Sequence, residues 1–520
     1  MTATIAPGVG APADRDGFSH LLRAEWTKFR TVRGWVIGVV VAVLVTVLFG
    51  LLAASATHSS CAAPPGQTCG AAGPVGPDGH QVTDSFYFAH QSLAGDGSIV
   101  ARVTALTGII TYPQSNPNAI VSGVEPWTKA GIIIKDSTNQ GSPYAAVMVT
   151  GGHGVRMQYD YTHDRAGSPG AVSASSPRWL RLTRSGDTLT GYESTDGARW
   201  TRVGTATLPR LASTVQVGLF VASPGDVQIG QGLGSGFAGH FTQASAIFDQ
   251  VSLHGAASGS WRGDAIGGAG HTDWERYHRA AGVARSGGRF TVTGSGDIAP
   301  DLGPRRGIER TLVGAFAGLI AVIVVATLFI TSEYRRGLIR TTLAASPRRG
   351  RVLVAKAAVI GSVTFVAGLV AAGLAVPLCG RILGANGLHL YPATVPTELR
   401  VIAGTAGILA AAAVLALALG ALLRRSAAAV TAVIVAVILP YVLAVASALP
   451  TGVSQWLLRI TPAAGFAVQQ TLRQFPQVNG PYTPSNGYFP LAPWAGFAVL
   501  CGYAALALGL AVHRLRRRDA

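Results

Sequence analysis

Charged side chains are missing from six long stretches of this sequence. Over the whole chain only 12% of the residues are charged, and the mean hydropathy is +0.37. A helix of about 20 apolar residues crosses the hydrocarbon core of a bilayer, whereas a helix of a soluble globular protein normally keeps one polar face. The stretches therefore predict six membrane spans: Gly34–Ala54, Leu312–Ser332, Ala357–Leu378, Val401–Leu423, Ala427–Leu449 and Ala492–Val512.

The predicted spans also lack histidine, so they contain no ionisable side chain of the usual proton-carrying types. Proton-coupled carriers usually keep such groups in their spans, so this absence disfavours that class, and cation channels as well. The chain has no Gly-x-x-x-x-Gly-Lys-Ser/Thr loop, which is the segment that cradles ATP phosphates in many ATPases. Energy from ATP would therefore have to come from a separate subunit.

Basic residues are concentrated in the segments that join alternate spans. Residues 55–309 carry 18 Lys/Arg and 18 Asp/Glu, so the net charge of +17 belongs entirely to the rest of the chain. Basic residues in short loops stay on the cytoplasmic side. This rule predicts that both termini are cytoplasmic and that residues about 55–309 are extracellular. It also explains the charge without nucleic acid, which we do not expect as a partner. The basic segments are Arg23–Arg33, Glu333–Lys356, Arg424–Arg425 and Arg514–Arg518.

The end of the first predicted span leaves two alternatives open. Ala54-Ser55-Ala56 is similar to a signal-peptidase site, but the apolar stretch is longer than the usual signal-peptide core. We favour an uncleaved anchor, preceded by a disordered tail over residues 1–17 and included in a unit spanning 18–55. The following segment, 56–83, is predicted to be an extracellular stalk.

Cysteine is scarce, with four residues in the chain. Cys61 and Cys69 lie in the predicted stalk, where an oxidising compartment permits a disulfide. The alternative is two free thiols in a flexible segment. Cys379 and Cys501 fall at or within predicted spans and are interpreted as ordinary small apolar residues.

The predicted extracellular part has the pattern of an all-β domain. Short runs rich in β-branched and aromatic residues alternate with Gly, Pro, Ser and Asp, which favours a β-sandwich over residues 84–255. Ser185-Gly186-Asp187 and Asp196-Gly197 predict two hairpin turns in series. Residues 256–309 are Gly-rich, with one further strand in "RFTVTGSGD", and are interpreted as an annex that leads back to the membrane.

The order of segments over residues 84–253 resembles concanavalin A-like lectin/glucanase domains. The most specific part is "WLRLTRSGDTLTGYESTDGARWTRVG". The resemblance implies a jelly-roll sandwich, a glycan or peptide ligand, and core positions for Trp179 and Trp200, with sugar stacking by these rings as the alternative. Domains of this architecture can bind calcium through loop carboxylates, for which Asp96 and Asp136 are conceivable ligands.

Enzyme motifs are lacking. Glycoside hydrolysis needs two carboxylates that flank the bond, and Glu125 and Glu193 are candidates only by residue type. The chain has neither a Gly-x-Ser-x-Gly elbow nor a His-Glu-x-x-His zinc motif. We therefore predict no catalytic, cofactor-binding or metal residues in this chain.

The segment "EYRRGLIRTTLAASPRRGRVLVAK" carries seven basic residues and one acid between two predicted spans. Residues 333–346 can form a short amphipathic helix, which is a surface suited to a partner. The alternative is a segment that only fixes the topology. It closely resembles the coupling-helix loop of type-2 ABC exporter permeases, and "LLRAEWTKFRTVRGW" looks like the elbow helix before the first span of that family. The resemblance to this family covers residues 18–55 and 306–518.

The resemblance implies a permease subunit of an exporter in a bacterial cell membrane. ATP and Mg would bind to a separate ABC ATPase subunit, and a second permease copy, identical or paralogous, would complete the membrane domain among lipids. The alternative is a membrane-anchored sensor or glycan-binding protein without transport. By resemblance, the ATPase-coupling residues are Glu333, Tyr334, Arg335, Arg336, Gly337 and Arg340, and the elbow-helix residues are Glu25, Trp26 and Lys28.

Overall fold

The protein consists of a helical bundle and a large β domain inserted after the second helix. The computed structural model describes residues 17–58, 73–113, 116, 118–229, 237–268, 270, 272–303, 306–335, 337, 349–480 and 482–517. Throughout, the domain end of the bundle is the end that contacts the β domain, and the distal end is the opposite one.

Ten α-helices occur in the described residues. Helix α1 is short and amphipathic, α3 lies in the β domain, and α7 and α8 are joined through a π-helical turn at Ile434–Ile438. The helices are α1 (Phe18–Thr31), α2 (Arg33–Ser55), α3 (Asp273–Tyr277), α4 (Ala315–Arg335), α5 (Arg349–Ala385), α6 (Val395–Leu423), α7 (Ser426–Val433), α8 (Leu439–Val445), α9 (Thr451–Ile460) and α10 (Pro493–Arg517).

Six of these helical segments are long and apolar enough to cross a membrane, which agrees with the predicted number of spans. They correspond to α2, α4, α5, α6, the continuous α7–α8 segment and α10. The chain therefore has the helices of a multi-pass membrane protein. Helix α6 has the largest buried share of the six and forms the centre of the bundle.

Two glycines bring α4 and α2 into close contact. A Cβ atom at Gly314 would lie 2.0 Å from the carbonyl oxygen of Thr46, and one at Gly318 would clash with the Thr46 hydroxyl. Small residues four apart allow helix backbones to approach in this way. The Gly314-x-x-x-Gly318 pattern thus packs two helices of the same chain against each other.

The segment between α9 and α10 turns back into the bundle. A 3₁₀ helix at Pro462–Gln469 is buried along its whole length. A Cβ atom on Gly496 of α10 would lie 2.3 Å from the carbonyl oxygen of Ala464. One on Gly404 of α6 would lie 2.6 Å from the side chain of Val468. This short helix therefore packs between α6 and α10.

The β domain is built around one strongly curved sheet. Its main strand order is β10-β9-β8-β2-β11-β4-β5-β6-β7, with β14 also paired to β2 and to β16. Strands β1 and β17, and β12 and β13, form two separate pairs. The strands are β1 (Val82–Asp84), β2 (Phe86–Thr111), β3 (Ile120–Ser122), β4 (Lys129–Lys135), β5 (Tyr144–Thr150), β6 (Val155–Tyr159), β7 (His163–Ala166), β8 (Arg178–Ser185), β9 (Thr188–Ser194), β10 (Thr201–Thr207), β11 (Thr214–Ala222), β12 (Asp226–Ile229), β13 (Phe237–His240), β14 (Thr242–Ile266), β15 (Gly282–Ser286), β16 (Arg289–Gly294) and β17 (Ile298–Pro300).

Two long strands give this sheet its shape. Strand β2 pairs with β11 up to Ala94 and with β8 from Gly97 onwards, and Gly95 between these stretches has a φ of +67°. Glycine adopts this conformation without a steric penalty, so it allows the strand to bend between two partners. Strand β14 follows β2 across the same bend, with register shifts at Gly255/Ala256 and elsewhere. Two clusters of buried side chains lie on opposite faces of the sheet.

Several sequence predictions for this domain can be compared directly with the observed strands and side-chain burial. Both hairpins are confirmed, because β8 pairs with β9 and β9 pairs with β10 in antiparallel register. The sheet continues across residue 256, so the strands of the predicted annex join the same sheet as the strands before them. Trp179 and Trp200 were expected in the core, but both are only partly buried. Trp179 lies on the strand face opposite to the buried Leu180 and Leu182.

Candidate functional site

Four charged residues meet at the distal end of the bundle, and we call them the ion-pair cluster: Glu25, Lys28, Glu333 and Lys356. Lys356, in the first turns of α5, is fully buried. Its Nζ lies 2.6 Å from Oε2 of Glu25 in α1 and 2.6 Å from Oε1 of Glu333 in α4. One ammonium group therefore connects three helices.

Lys28 completes the cluster from the exposed side. Its Nζ lies 3.0 Å from Glu25 Oε1 and 3.3 Å from Glu333 Oε1, and its side chain is 42% exposed. Partial burial of this ammonium lowers its pKa, but the attraction of the two carboxylates outweighs that effect and raises the pKa of Lys28. The cluster thus contains two positive and two negative groups.

Aromatic rings form the apolar side of the cluster. The Nζ of Lys356 lies 4.9 Å from the centre of the Phe329 ring, a distance that allows a cation–π interaction. Phe29 of α1 and Trp35 of α2 meet the same ring edge to face, with ring centres 5.9 and 5.7 Å away. Burial beside these rings strengthens the ion pairs and makes the loss of one partner costly.

The sequence places these groups by helical spacing. Glu25 and Phe29 are four residues apart, so they share the buried face of α1, while Lys28 lies beside Glu25 one turn away. Glu333 lies near the C-terminal end of α4 and Lys356 two turns into α5. The cluster therefore fixes both ends of the connection over 336–348, together with α1.

The predicted coupling residues are divided between described and undescribed positions. Glu333, Tyr334, Arg335 and Gly337 are described, whereas Arg336 and Arg340 lie outside the described residues. The guanidinium carbon of Arg424 lies 5.3 Å from the centre of the Tyr334 ring, and this contact joins the distal ends of α4 and α6. Arg335 is exposed.

The elbow-helix residues differ in their environments. Glu25 is buried in the cluster, while Trp26 is 48% exposed and stacks on Phe29 with ring centres 6.4 Å apart. Sequence reasoning treated Lys356 only as a topology signal and so missed its structural role. A single lysine between Ala355 and Ala357, at the start of a long apolar run, was the available signal. Cys61 and Cys69 lie outside the described residues.

A second concentration of polar contacts joins the β domain to the helical part. Gln477, in the segment between the 3₁₀ helix and α10, donates to the carbonyl oxygen of Thr162 at 3.1 Å. Asn479 of the same segment donates to Oε1 of the fully buried Glu125 at 3.0 Å. Burial raises the pKa of Glu125 to about 7, although hydrogen bonds from the backbone N–H of Trp127 and from Asn479 favour the ionised form.

The other candidate carboxylates from the sequence accept hydrogen bonds from backbone N–H groups. Glu193 accepts from the N–H of Ser168 at 2.8 Å, Asp96 from the N–H of Gly186 at 2.7 Å, and Asp136 from the N–H of Ala212 at 2.7 Å. These bonds hold loops of the β domain in place. Within the described ranges, no group of three or more His, Cys, Asp or Glu side chains could hold a metal ion.

Comparisons with known proteins leave the family of the chain open. No family model and no curated protein matches it. Among solved structures, a functionally unknown protein from Saccharomyces cerevisiae is 16% identical, with a TM-score of 0.20, over 33% of this chain and 74% of that one. Scytalido-glutamic peptidase with a transition state analog inhibitor is 9% identical, with a TM-score of 0.26, over 41% of this chain and 98% of that one.

Proposed function

We propose that this protein is the membrane subunit of an ATP-driven transporter, an exporter, in a bacterial cell membrane. A separate ABC ATPase would bind at the distal end, on the cytoplasmic side with both termini. A second copy of the subunit, or a paralogue, would complete the membrane domain. The inserted extracellular domain would be a concanavalin A-like jelly roll.

The ion-pair cluster is the observation that supports this proposal. The connection over 336–348 begins and ends at helices that share Lys356, and α1 is tied to them through Glu25. A force on that connection or on α1 would therefore reach α4 and α5 together. An energy-supplying partner needs such a rigid point of contact, because loose loops would absorb the movement.

Charge complementarity defines the expected partner. The segment from Glu333 to Lys356 carries seven basic residues and one acid. A partner with an acidic groove would be attracted to it and oriented by it. The chain lacks a phosphate-binding loop of its own, so ATP and Mg would belong to that partner.

Charge reversal of the connection tests the proposal. In the triple variant Arg335→Glu, Arg336→Glu and Arg340→Glu, the predicted docking surface becomes acidic and repels an acidic groove. We expect the variant to reach the membrane, because Arg348, Arg349 and Arg351 remain. It should fail to co-purify an ATPase from cross-linked source membranes, and phosphate release by the purified material should fall to background.

The matched control reverses the charge of three exposed arginines of α10 at the same end of the bundle, by substitution with Glu: Arg514, Arg516 and Arg517. This variant should still co-purify the ATPase. The proposal is contradicted if the wild-type protein brings down no ATPase, or if both triple variants retain it equally.

A sensor without transport is the second candidate, and the contact between Glu125 and Asn479 favours it. Through this contact, ligand binding to the β domain could alter the segment before α10. Under this alternative, the wild-type protein would respond to a glycan or peptide with a change in that segment but would show no ATP-dependent transport in vesicles.

A further inference from the structure

A cavity of about 370 Å³ lies at the domain end of the bundle. Its walls come from the ends of α2, α4, α5 and α8, and the turn at Pro484–Gly487 borders it on the side of the β domain. Its volume is within the range of about 300–1,000 Å³ that is usual for ligand pockets. The ion-pair cluster lies at the opposite end of α4 and α5, so the two sites are separate.

Most of the cavity wall is apolar. Ala53, Val313, Leu383 and Val445 line it, together with the ring of Phe316. Tyr441 contacts Phe316 with ring centres 4.6 Å apart, and Phe466 lies behind both rings. Val313 is also 51% exposed, so the cavity wall is open to the surface at this residue. The apolar wall is thus continuous with the surface that would face lipid chains.

The polar part of the cavity contains charges of both signs. Glu309 and Arg310 both line it. Thr471 donates to Oε2 of Glu309 at 2.5 Å, and a nitrogen of Arg310 lies 3.4 Å from the Thr57 hydroxyl. A neighbouring cavity of about 130 Å³ is also lined by Glu309 and reaches Asp301 and Arg306 below the β domain.

Glu309 lies outside the membrane-spanning segments, in the 3₁₀ turn Ile308–Leu312 before α4. Burial raises the pKa of this carboxyl, although hydrogen bonds from Thr471 and from the backbone N–H of Glu309 itself, and the charge of Arg400, oppose the rise. The ionised form is therefore incompletely stabilised by the protein. A positive group that enters the cavity would supply the missing stabilisation.

We propose that this cavity binds the head group of a zwitterionic phospholipid. The ammonium group would approach Glu309, the phosphate would approach Arg310, and the acyl chains would leave along Val313 and its apolar neighbours. The ends of membrane spans lie at the depth of lipid head groups, so the chemistry of the cavity matches its position. This inference does not require an ATPase and stands or falls independently of the proposed transport.

The test compares lipids that share acyl chains but differ in head group. Delipidated full-length protein is titrated with dioleoyl phosphatidylethanolamine, dioleoyl phosphatidylcholine or dioleoyl phosphatidylglycerol, and bound lipid is counted by native mass spectrometry. The two zwitterionic lipids should bind at least tenfold more tightly than the anionic phosphatidylglycerol. Equal binding of all three lipids would overturn the proposal.

Two pairs of variants locate the bound lipid. Glu309→Gln keeps the side-chain shape and an acceptor for Thr471 but removes the charge, so it should abolish the preference for zwitterionic lipids. Glu398→Gln removes a carboxylate of α6 that does not line this cavity, and it should behave as wild type. An unchanged preference in Glu309→Gln would place the lipid elsewhere.

The second pair tests the apolar wall. Ala53→Phe fills the cavity and should prevent retention of the lipid, whereas Leu52→Phe alters a neighbouring side chain that is 56% exposed and should have no effect. Each variant is first checked for wild-type thermal unfolding. If both Phe variants retain lipid equally, the cavity is not the binding site.

Discussion

Asn479 donates a 3.0 Å hydrogen bond to Glu125 and so connects the helical part of the chain to a fully buried acid of the β domain. The other oxygen of the Glu125 carboxylate accepts from the N–H of Trp127 at 2.6 Å. Lys129 and Asp297, which form an ion pair at 2.6 Å, also influence Glu125 electrostatically. The protonation state of this acid therefore depends on the contact between the two parts of the protein.

The first prediction concerns the pH dependence of stability. Glu125 has a pKa of about 7 in the folded protein and an ordinary value of 4.5. Between these values the folded state binds more protons than the unfolded state, so stability should fall as pH rises from about 4.5 to about 7. The contribution of Glu125 is on the order of 3 kcal/mol. Glu125→Gln should reduce the pH slope of the thermal unfolding midpoint.

Asn479→Ala provides the complementary measurement. Loss of its hydrogen bond should raise the pKa of Glu125 further, so the pH-dependent fall in stability should extend to higher pH. Asp160, whose pKa burial raises to about 6, contributes a slope of the same sign in all three proteins. An identical slope in wild type and Glu125→Gln would contradict this assignment.

Hydrophobicity predicted the number of long apolar helices well but did not locate all of their ends. The third span was predicted to begin at Ala357, because Lys356 is charged. The helix instead begins at Arg349, since the ion pairs with Glu25 and Glu333 allow Lys356 to be buried inside it. Pairing between residues that are distant in sequence cannot be read from a local apolar run. The four-residue cluster was therefore not predictable as a unit.

Local patterns in the β domain identified turns better than strand lengths. The two hairpins follow from their turn residues, and both occur. The short runs rich in β-branched and aromatic residues predicted short strands, but the run over residues 98–106 forms only the middle of β2, which has 26 residues. A bend at Gly95 lets this strand continue with a different partner, which depends on the tertiary arrangement. Trp179 illustrates the same limit, since Arg102 covers its ring at 5.5 Å on the outer face.

The second prediction concerns Cys61 and Cys69. If they form a disulfide, iodoacetamide added to denatured protein without reductant should leave their peptide unmodified. Prior reduction should add two alkyl groups. The bridge closes a short loop, so Cys61→Ser with Cys69→Ser should leave the bundle folded while removing about 2–3 kcal/mol of local constraint. Two alkylated thiols in fresh, unreduced protein would rule the bridge out.

The third prediction concerns orientation. Single cysteines are introduced by Ser175→Cys, in an exposed loop of the β domain, and by Ser346→Cys, between α4 and α5, after the four native cysteines are replaced by serine. The distribution of basic residues predicts that the β domain is outside. A membrane-impermeant maleimide should label the first variant in intact cells and the second only after permeabilisation. The reverse pattern would refute the orientation.

The fourth prediction concerns the ion-pair cluster. In Lys356→Met, Glu25 and Glu333 lose their buried partner, and an uncompensated buried charge typically costs about 3–5 kcal/mol. Lys28 remains within 3.3 Å of Glu333, which favours the lower part of that range. The thermal unfolding midpoint of the detergent-solubilised protein should therefore fall clearly.

Lys28→Met is the matched control for this variant. It removes the same charge from the same carboxylates, but the Lys28 side chain is 42% exposed, so the loss should be about 0–1 kcal/mol. Adding Glu333→Gln to Lys356→Met should recover part of the stability, because it removes one of the two carboxylates left without Lys356. If Lys28→Met and Lys356→Met lower the unfolding midpoint equally, burial does not determine the strength of this cluster, and the connection over 336–348 is not held by Lys356.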